Sequence, residues 1–342
     1  MYTFTNTEIT NKKATEFETK SLLYLIGMRK DSDEIDLLTV DCFNDVTGLN
    51  PDFSKLWDVQ SKNHKSLPPS KIGDSLFTLY DNFISSIDFC EYVLFVPKLK
   101  RDYLVDCSQN NYLFSNIVPK TQKLITKALI KKIKKTYKSD DAPFLKEFLS
   151  KVLIVEDNKK ISTYIKQLVK FKNKRIVDED FYVEIFNELR NIQSGLKNSY
   201  IEGEKINTVA EVLKFNRHIS KNDIQTFLIN RFVGTDVFSF PGIPVDFLPV
   251  VSNLGGDKEE VEDLLQECNA NLSRAFFDKA ASRPFWHTIE EILTLVSKHP
   301  SNDVFYIFEH LSKKIKDRAI YLTDETVIYL ISLIKTGLKN DS

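Results

Sequence analysis

Asp45, Gln60 and Lys62 are the residues whose types and spacing most invite chemistry. A carboxylate at the far end of one predicted strand, with an amide and an amine at alternate positions of the next, gathers polar groups where two strands meet. Oxygen donors of this kind suit Mg²⁺, which takes one or two protein carboxylates and completes its octahedron with water and substrate phosphate. Phosphodiester hydrolysis needs a metal-held water in line with phosphorus and neutralised charge on the non-bridging and leaving oxygens. In such a site Asp45 is the principal ligand. Gln60 offers a neutral carbonyl oxygen or orients a metal-bound water, and Lys62 contacts the attacking water or the scissile phosphate. Each residue also has a plainer reading: a strand end at a hairpin for Asp45, and a solvated strand face for Gln60 and Lys62.

The elements that must position these groups follow from periodicity. Apolar residues at 14, 17, 22, 25 and 26 predict a helix over 14–26. The segment 35–45 is β-rich and short enough for one strand, which delivers Asp45 at its end. Gly48-Leu49-Asn50-Pro51-Asp52 carries turn chemistry. The chain returns over 56–62, where a period of two puts Trp57, Val59 and Ser61 on one face and Asp58, Gln60 and Lys62 on the other. A helix over 72–84 and an unbroken apolar strand, Glu91 to Pro97, complete a compact α/β unit. Beyond 101 the strand signals fade and amphipathic helices succeed one another.

Composition sets the limits. The 342 residues are 42% hydrophobic, enough for a globular core and, by length, for two domains. A net charge of −1 gives no nucleic-acid signature over the whole chain, so any such surface must be local. Cys42, Cys90, Cys107 and Cys268 lie far apart with no zinc spacing, and read as thiols of a reducing cytosol. There is no signal-peptide core and no apolar run of spanning length, so the expectation is a cytoplasmic protein without a membrane role.

One local surface stands out. Lys120, Lys123, Lys127, Lys131, Lys132, Lys134, Lys135 and Lys138 share a segment with no acid, and an apolar stripe of Leu124, Ile125, Ala128, Leu129, Ile133 and Tyr137 runs through it. Such a helix can dock by its stripe and offer lysines to phosphates, giving salt-sensitive, sequence-blind affinity. A solvated face is the bland alternative. Lys127, Lys131, Lys134 and Lys135, with Lys62 and His64, are the candidate DNA contacts. His218, His287, His299 and His310 are scattered and have no Cys partner. The Pro- and aromatic-rich stretch 238–249 must be buried against its own domain or against a partner.

Taken in order, the first-helix segment Ala14-x-x-Phe17-Glu18, Asn44-Asp45-Val46, the Gln60-x-Lys62 strand, the following helix and the apolar strand resemble the CD-NTase-associated double-stranded DNA endonuclease domain. That family is a branch of the PD-(D/E)xK nucleases with Gln in place of the usual acid, also found as the effector of Lamassu-type three-component anti-phage systems. The resemblance covers roughly residues 13–100; the position often held by Gly is Ala14 here. It implies a restriction-endonuclease-like α/β domain followed by a mostly α-helical one, divided as a flexible N-terminus (1–12), a nuclease domain (13–118) and a regulatory, partner-docking domain (119–342). It implies Mg²⁺, with Mn²⁺ as a substitute, held by Asp45, Gln60 and Glu18, the family's first-helix acid; Asp58 and Asp41 are alternative second carboxylates. The partners it implies are double-stranded DNA, an SMC-like ATPase and a small accessory subunit; further copies of the chain are expected in the active state because a double-strand break needs two sites and one chain supplies one. The rival expectation is a non-catalytic adaptor, because Gln60 replaces an acid. No DNA-reading module of a sequence-specific restriction enzyme is found.

Overall fold

The computed structural model describes residues 1–5, 15–64, 66–138, 142–198, 200–253, 257–311, 315 and 320–340. The chain divides into two compact units, 1–165 with 186–221, and 166–185 with 222–342. This differs from the boundary expected at 118/119, because strands and helices drawn from beyond that point complete the first unit's sheet and core. Ala14 lies outside the described residues.

Unit 1 is built on a seven-stranded mixed sheet. Helix α1 (Glu16–Gly27) precedes a meander of β2 (Leu37–Val40), β3 (Val46–Leu49) and β4 (Leu56–Ser61); helix α2 (Pro69–Phe83) then crosses to β5 (Glu91–Pro97). β2, β3 and β4 pair antiparallel in turn, and β5 lies parallel to β4. Beyond it come β6 (Asn111–Leu113), α3 (Pro119–Tyr137), α4 (Leu145–Lys151) and β7 (Val152–Asp157). β7 joins β5 in parallel and β6 edges β7 antiparallel. At the other edge β9 (His218–Ser220) pairs with β2. The first strand, β1 (Tyr2–Thr3), pairs with β8 (Lys205–Ile206) in a separate two-stranded sheet. The N-terminus expected to be flexible is therefore tied down over its first residues, with Tyr2 and Phe4 buried.

Three expectations for the meander change. The segment 35–45 is not one strand: the chain folds back at 41–45, where Asp41 has φ +53 and its N–H bonds the Asp45 carbonyl at 3.1 Å. Asp45 therefore precedes β3 instead of ending β2. Gly48 lies inside β3, and the turn follows at Asn50, whose carbonyl accepts from Phe53 N and whose side chain accepts from Lys55 N. Nor is β4 solvated on its polar face, since all six of its residues are buried.

The sheet has a core on each face. On one, Ile72, Leu76 and Tyr80 of α2, Ile125, Leu129 and Ile133 of α3, and Phe148 pack with Tyr92, Leu94 and Ile154. On the other, Phe17 and Tyr24 of α1 each place a ring 5.7 Å from that of Phe95. The opposite facing of Leu94 and Phe95 is the strand period of two. α2 and α3 meet closely at Gly73, where an added Cβ would lie 2.4 Å from the Ile125 carbonyl oxygen and 2.7 Å from the Ala128 Cβ. Gly73→Ala must push the helices apart. It is expected to cost about 3 kcal/mol, the upper part of the usual overpacking range, read as a lowered urea midpoint at unchanged m-value.

Helices α5 (Ile161–Leu168) and α6 (Glu179–Gly195) each have residues in both units; unit 2 further holds α7 (Lys221–Val233, from its second residue), α8 (Leu248–Ser252), α9 (Lys258–Phe277), α10 (Ser282–Lys298), α11 (Val304–His310) and α12 (Asp324–Asn340), with no strand among its described residues. Phe171, Tyr182 and Trp286 surround Phe232 in its core. The stretch 238–249 is anchored at two points, Phe238 against Phe276 and Phe277, and Phe247 against Tyr329; Val245 stays exposed. No helix among the described residues is long and apolar enough to cross a membrane.

Candidate active site

The antiparallel register sets the site. Val46 faces Val59, so Asp45, one residue earlier, lies beside Gln60 at the end of β4. One oxygen of its carboxylate, Oδ2, accepts three hydrogen bonds: from Gln60 Nε2 at 2.7 Å, Ser61 N at 2.7 Å and Ser61 Oγ at 2.8 Å. The other, Oδ1, accepts none from the described residues, and Asp45 is half-buried. Gln60 is clamped from both ends, because its Oε1 accepts from Thr78 Oγ1 of α2 at 2.5 Å. The carboxylate is thus held in one orientation with a single oxygen left open.

Glu18 comes to the same region from α1. Thr15 caps that helix by accepting from Glu18 N at 3.2 Å. Thr15-Glu16-Phe17-Glu18 has the sequence of a capping box, yet the Glu18 carboxylate turns instead to Lys197, whose Nζ donates to Oε2 at 2.8 Å. Both residues are buried. Burial, then the neighbouring Asp45 charge, raise the Glu18 carboxyl above the ordinary range, with Lys197 opposing. For Lys197 burial works against the charge, but Glu18, with Asp41 and Asp45 beyond it, leaves the ammonium held more firmly than usual.

Asp41 and Asp58 occupy other positions. Asp41 is buried and paired with Arg217, whose Nη1 donates to Oδ2 at 3.0 Å and to the Asp41 carbonyl at 2.7 Å, pinning the 41–45 turn. Asp58 is fully buried, its Oδ2 accepting from Asn44 Nδ2 at 2.7 Å and Asn82 Nδ2 at 2.8 Å. Burial pushes its carboxyl up to about 7, against those two bonds. It braces the site from within and is not presented to a ligand.

Lys62 is half-buried just past β4. Its backbone N–H bonds the Phe95 carbonyl at 2.9 Å, and its ammonium has no ion pair among the described residues. His64 is exposed. On α3, Lys127, Lys131, Lys134 and Lys135 are all exposed, while Thr121, Ile125, Leu129 and Ile133 are buried. Leu124 and Tyr137, expected in the buried stripe, are largely exposed; the Tyr137 hydroxyl donates to Asp81.

The structure thus brings Asp45, Gln60 and Glu18 together, and adds Ser61, Thr78, Lys197 and Arg217. Ser61 stood in plain view between Gln60 and Lys62; the distant basic residues carried no local signal. Among the described residues no three His, Cys, Asp or Glu side chains come together as a metal-holding group. Two carboxylates and an amide fit magnesium by chemistry, since that ion keeps several waters and needs few protein ligands. Asp45 Oδ1 is open to it as it stands. Glu18 is engaged by Lys197, and Gln60 turns its NH₂ towards Asp45. Comparisons with models of known protein families, with curated proteins and with solved structures find no match.

Proposed function

We propose that the chain is a metal-dependent, largely sequence-nonspecific double-stranded DNA endonuclease of the PD-(D/E)xK type, restrained until a partner complex releases or clusters it. The observation that carries this reading is Asp45: one oxygen held by three donors, the other open, just before β3, beside the end of β4 and near the Glu18 acid. The α–β–β–β–α–β order around it, with β5 parallel to β4, supports the same reading.

A bound divalent ion would supply an activated water and neutralise phosphate charge. Asp45 would hold it, Glu18 would join once free of Lys197, and Lys62 would meet the phosphate. The exposed lysines of α3 supply sequence-blind attraction to the DNA backbone. Unit 2 would dock an SMC-like ATPase and a small accessory subunit, as the resemblance implies. One chain has one such site, so cutting both strands calls for a second copy.

The test is supercoiled plasmid with Mg²⁺ or Mn²⁺ at low salt, using protein alone and co-purified with its native partners. Nicked and linear products, abolished by EDTA, are expected; intact plasmid in both cases removes the nuclease reading. The second reading, a non-catalytic adaptor, is favoured by Lys197 on Glu18 and by the Gln60 oxygen turned to Thr78.

A further inference from the structure

Lys197 sits in a short turn, Leu196–Asn198, directly after helix α6 (Glu179–Gly195). Its side chain is only 3% exposed. A buried ammonium is costly unless carboxylates surround it, and here they do: it donates to Glu18 at 2.8 Å and lies in the field of Asp41 and Asp45. Arg217 answers Asp41. The cluster therefore sets three carboxylates, Glu18, Asp41 and Asp45, against two buried cations, and Asp45 is the acid without an ion pair among the described residues. Asp45, with one oxygen unengaged, is therefore the carboxylate of the three still available to a cation. A dication on Glu18 would stand against the ammonium already there, and two cations that close repel.

We propose that Lys197 is an internal stand-in for the divalent ion: its ammonium neutralises Glu18 while no metal is bound, and metal binds tightly only as Lys197 withdraws. This rests on the metal site of the nuclease reading and says how that site is kept shut. The helix leading to Lys197 begins with residues of unit 2 and ends in unit 1, so the turn bearing the lysine is continuous with the regulatory part of the chain.

The test uses the full chain, without DNA. Mn²⁺ is titrated by calorimetry into the parent and into Lys197→Met, and both are melted in EDTA and in Mn²⁺. Lys197→Met leaves Glu18 buried and unpaired, so it should melt below the parent in EDTA, gain about 5 °C from Mn²⁺ and bind the ion about tenfold more tightly. Should that variant not fold, the parent alone decides: the Lys197 amine, mapped by mass spectrometry after acylation, should react several-fold faster with Mn²⁺ than in EDTA. Equal Mn²⁺ affinity in parent and variant, or Lys197 labelling unchanged by Mn²⁺, overturns the proposal. A chain that cuts plasmid but shows either result loses this inference and keeps the nuclease reading; a Lys197→Met chain that gains metal affinity but cuts nothing does the reverse.

Discussion

Asp45→Asn is expected to cut plasmid at about a thousandth of the parent rate or less, because charge stabilisation by a metal site is worth several kcal/mol and each 1.4 kcal/mol is about tenfold. Asn is the informative substitution. Asp45 Oδ2 serves Gln60 Nε2, Ser61 N and Ser61 Oγ, and an amide oxygen in its place keeps an acceptor for them. Asp45→Ala would take the acceptor from all three donors, leaving Gln60 Nε2 only the Ser61 carbonyl at 3.4 Å, at about 1–3 kcal/mol for each buried donor left unanswered. Its loss of activity would be mixed with a loss of stability. An Asn variant that melts with the parent and does not cut isolates the carboxylate's charge; one that cuts at the parent rate assigns the site wrongly.

The second large effect is on stability. The buried Asp58 carboxyl is pushed up to about 7 in the folded chain, against about 3.9 in the unfolded one. Between these values the folded protein keeps a proton that the unfolded chain has lost. The contribution is therefore complete below about pH 4, falls as pH rises, and is gone above about 7, a change of about 4 kcal/mol. Asp58→Asn removes that dependence while leaving an oxygen for Asn44 and Asn82. Urea unfolding at pH 4 and pH 8 should show the variant gaining on the parent by most of that amount at the higher pH. Glu18 and Asp41, also raised by burial, tilt both proteins alike and cancel in the difference. An equal pH dependence in parent and variant would show that Asp58 is ionised in the fold.

These two carboxylates mark how far the sequence could be read. Glu91 to Pro97 was legible because a strand covered on both faces must be apolar along its length, and β5 is buried as that pattern requires. The proximity of Asp45 to Gln60 followed from polar residues at two neighbouring strands. The turn between β2 and β3 was hidden: Asp41-Cys42-Phe43-Asn44-Asp45 has no Gly or Pro, and Asp41 is held at φ +53 with the help of Arg217, 176 positions away. Glu18 was placed at the site by the resemblance alone, since nothing near it in the chain announces its partner, which lies 179 positions on. Asp58, which alternation placed with Gln60 on the polar face, is buried because α2 covers that side and supplies Asn82. β7 escaped notice because its apolar Val152-Leu-Ile-Val run follows directly on α4 and is short enough to pass for more of the helix.

The account depends on the open oxygen of Asp45 being a metal ligand, and the most direct measurement is calorimetric titration of Mn²⁺ into the full chain with a short DNA duplex present. It predicts saturable uptake by the parent that is lost in Asp45→Asn. No uptake by the parent even with DNA, or equal uptake by the variant, would contradict it, and the former would leave the adaptor as the better description of this chain.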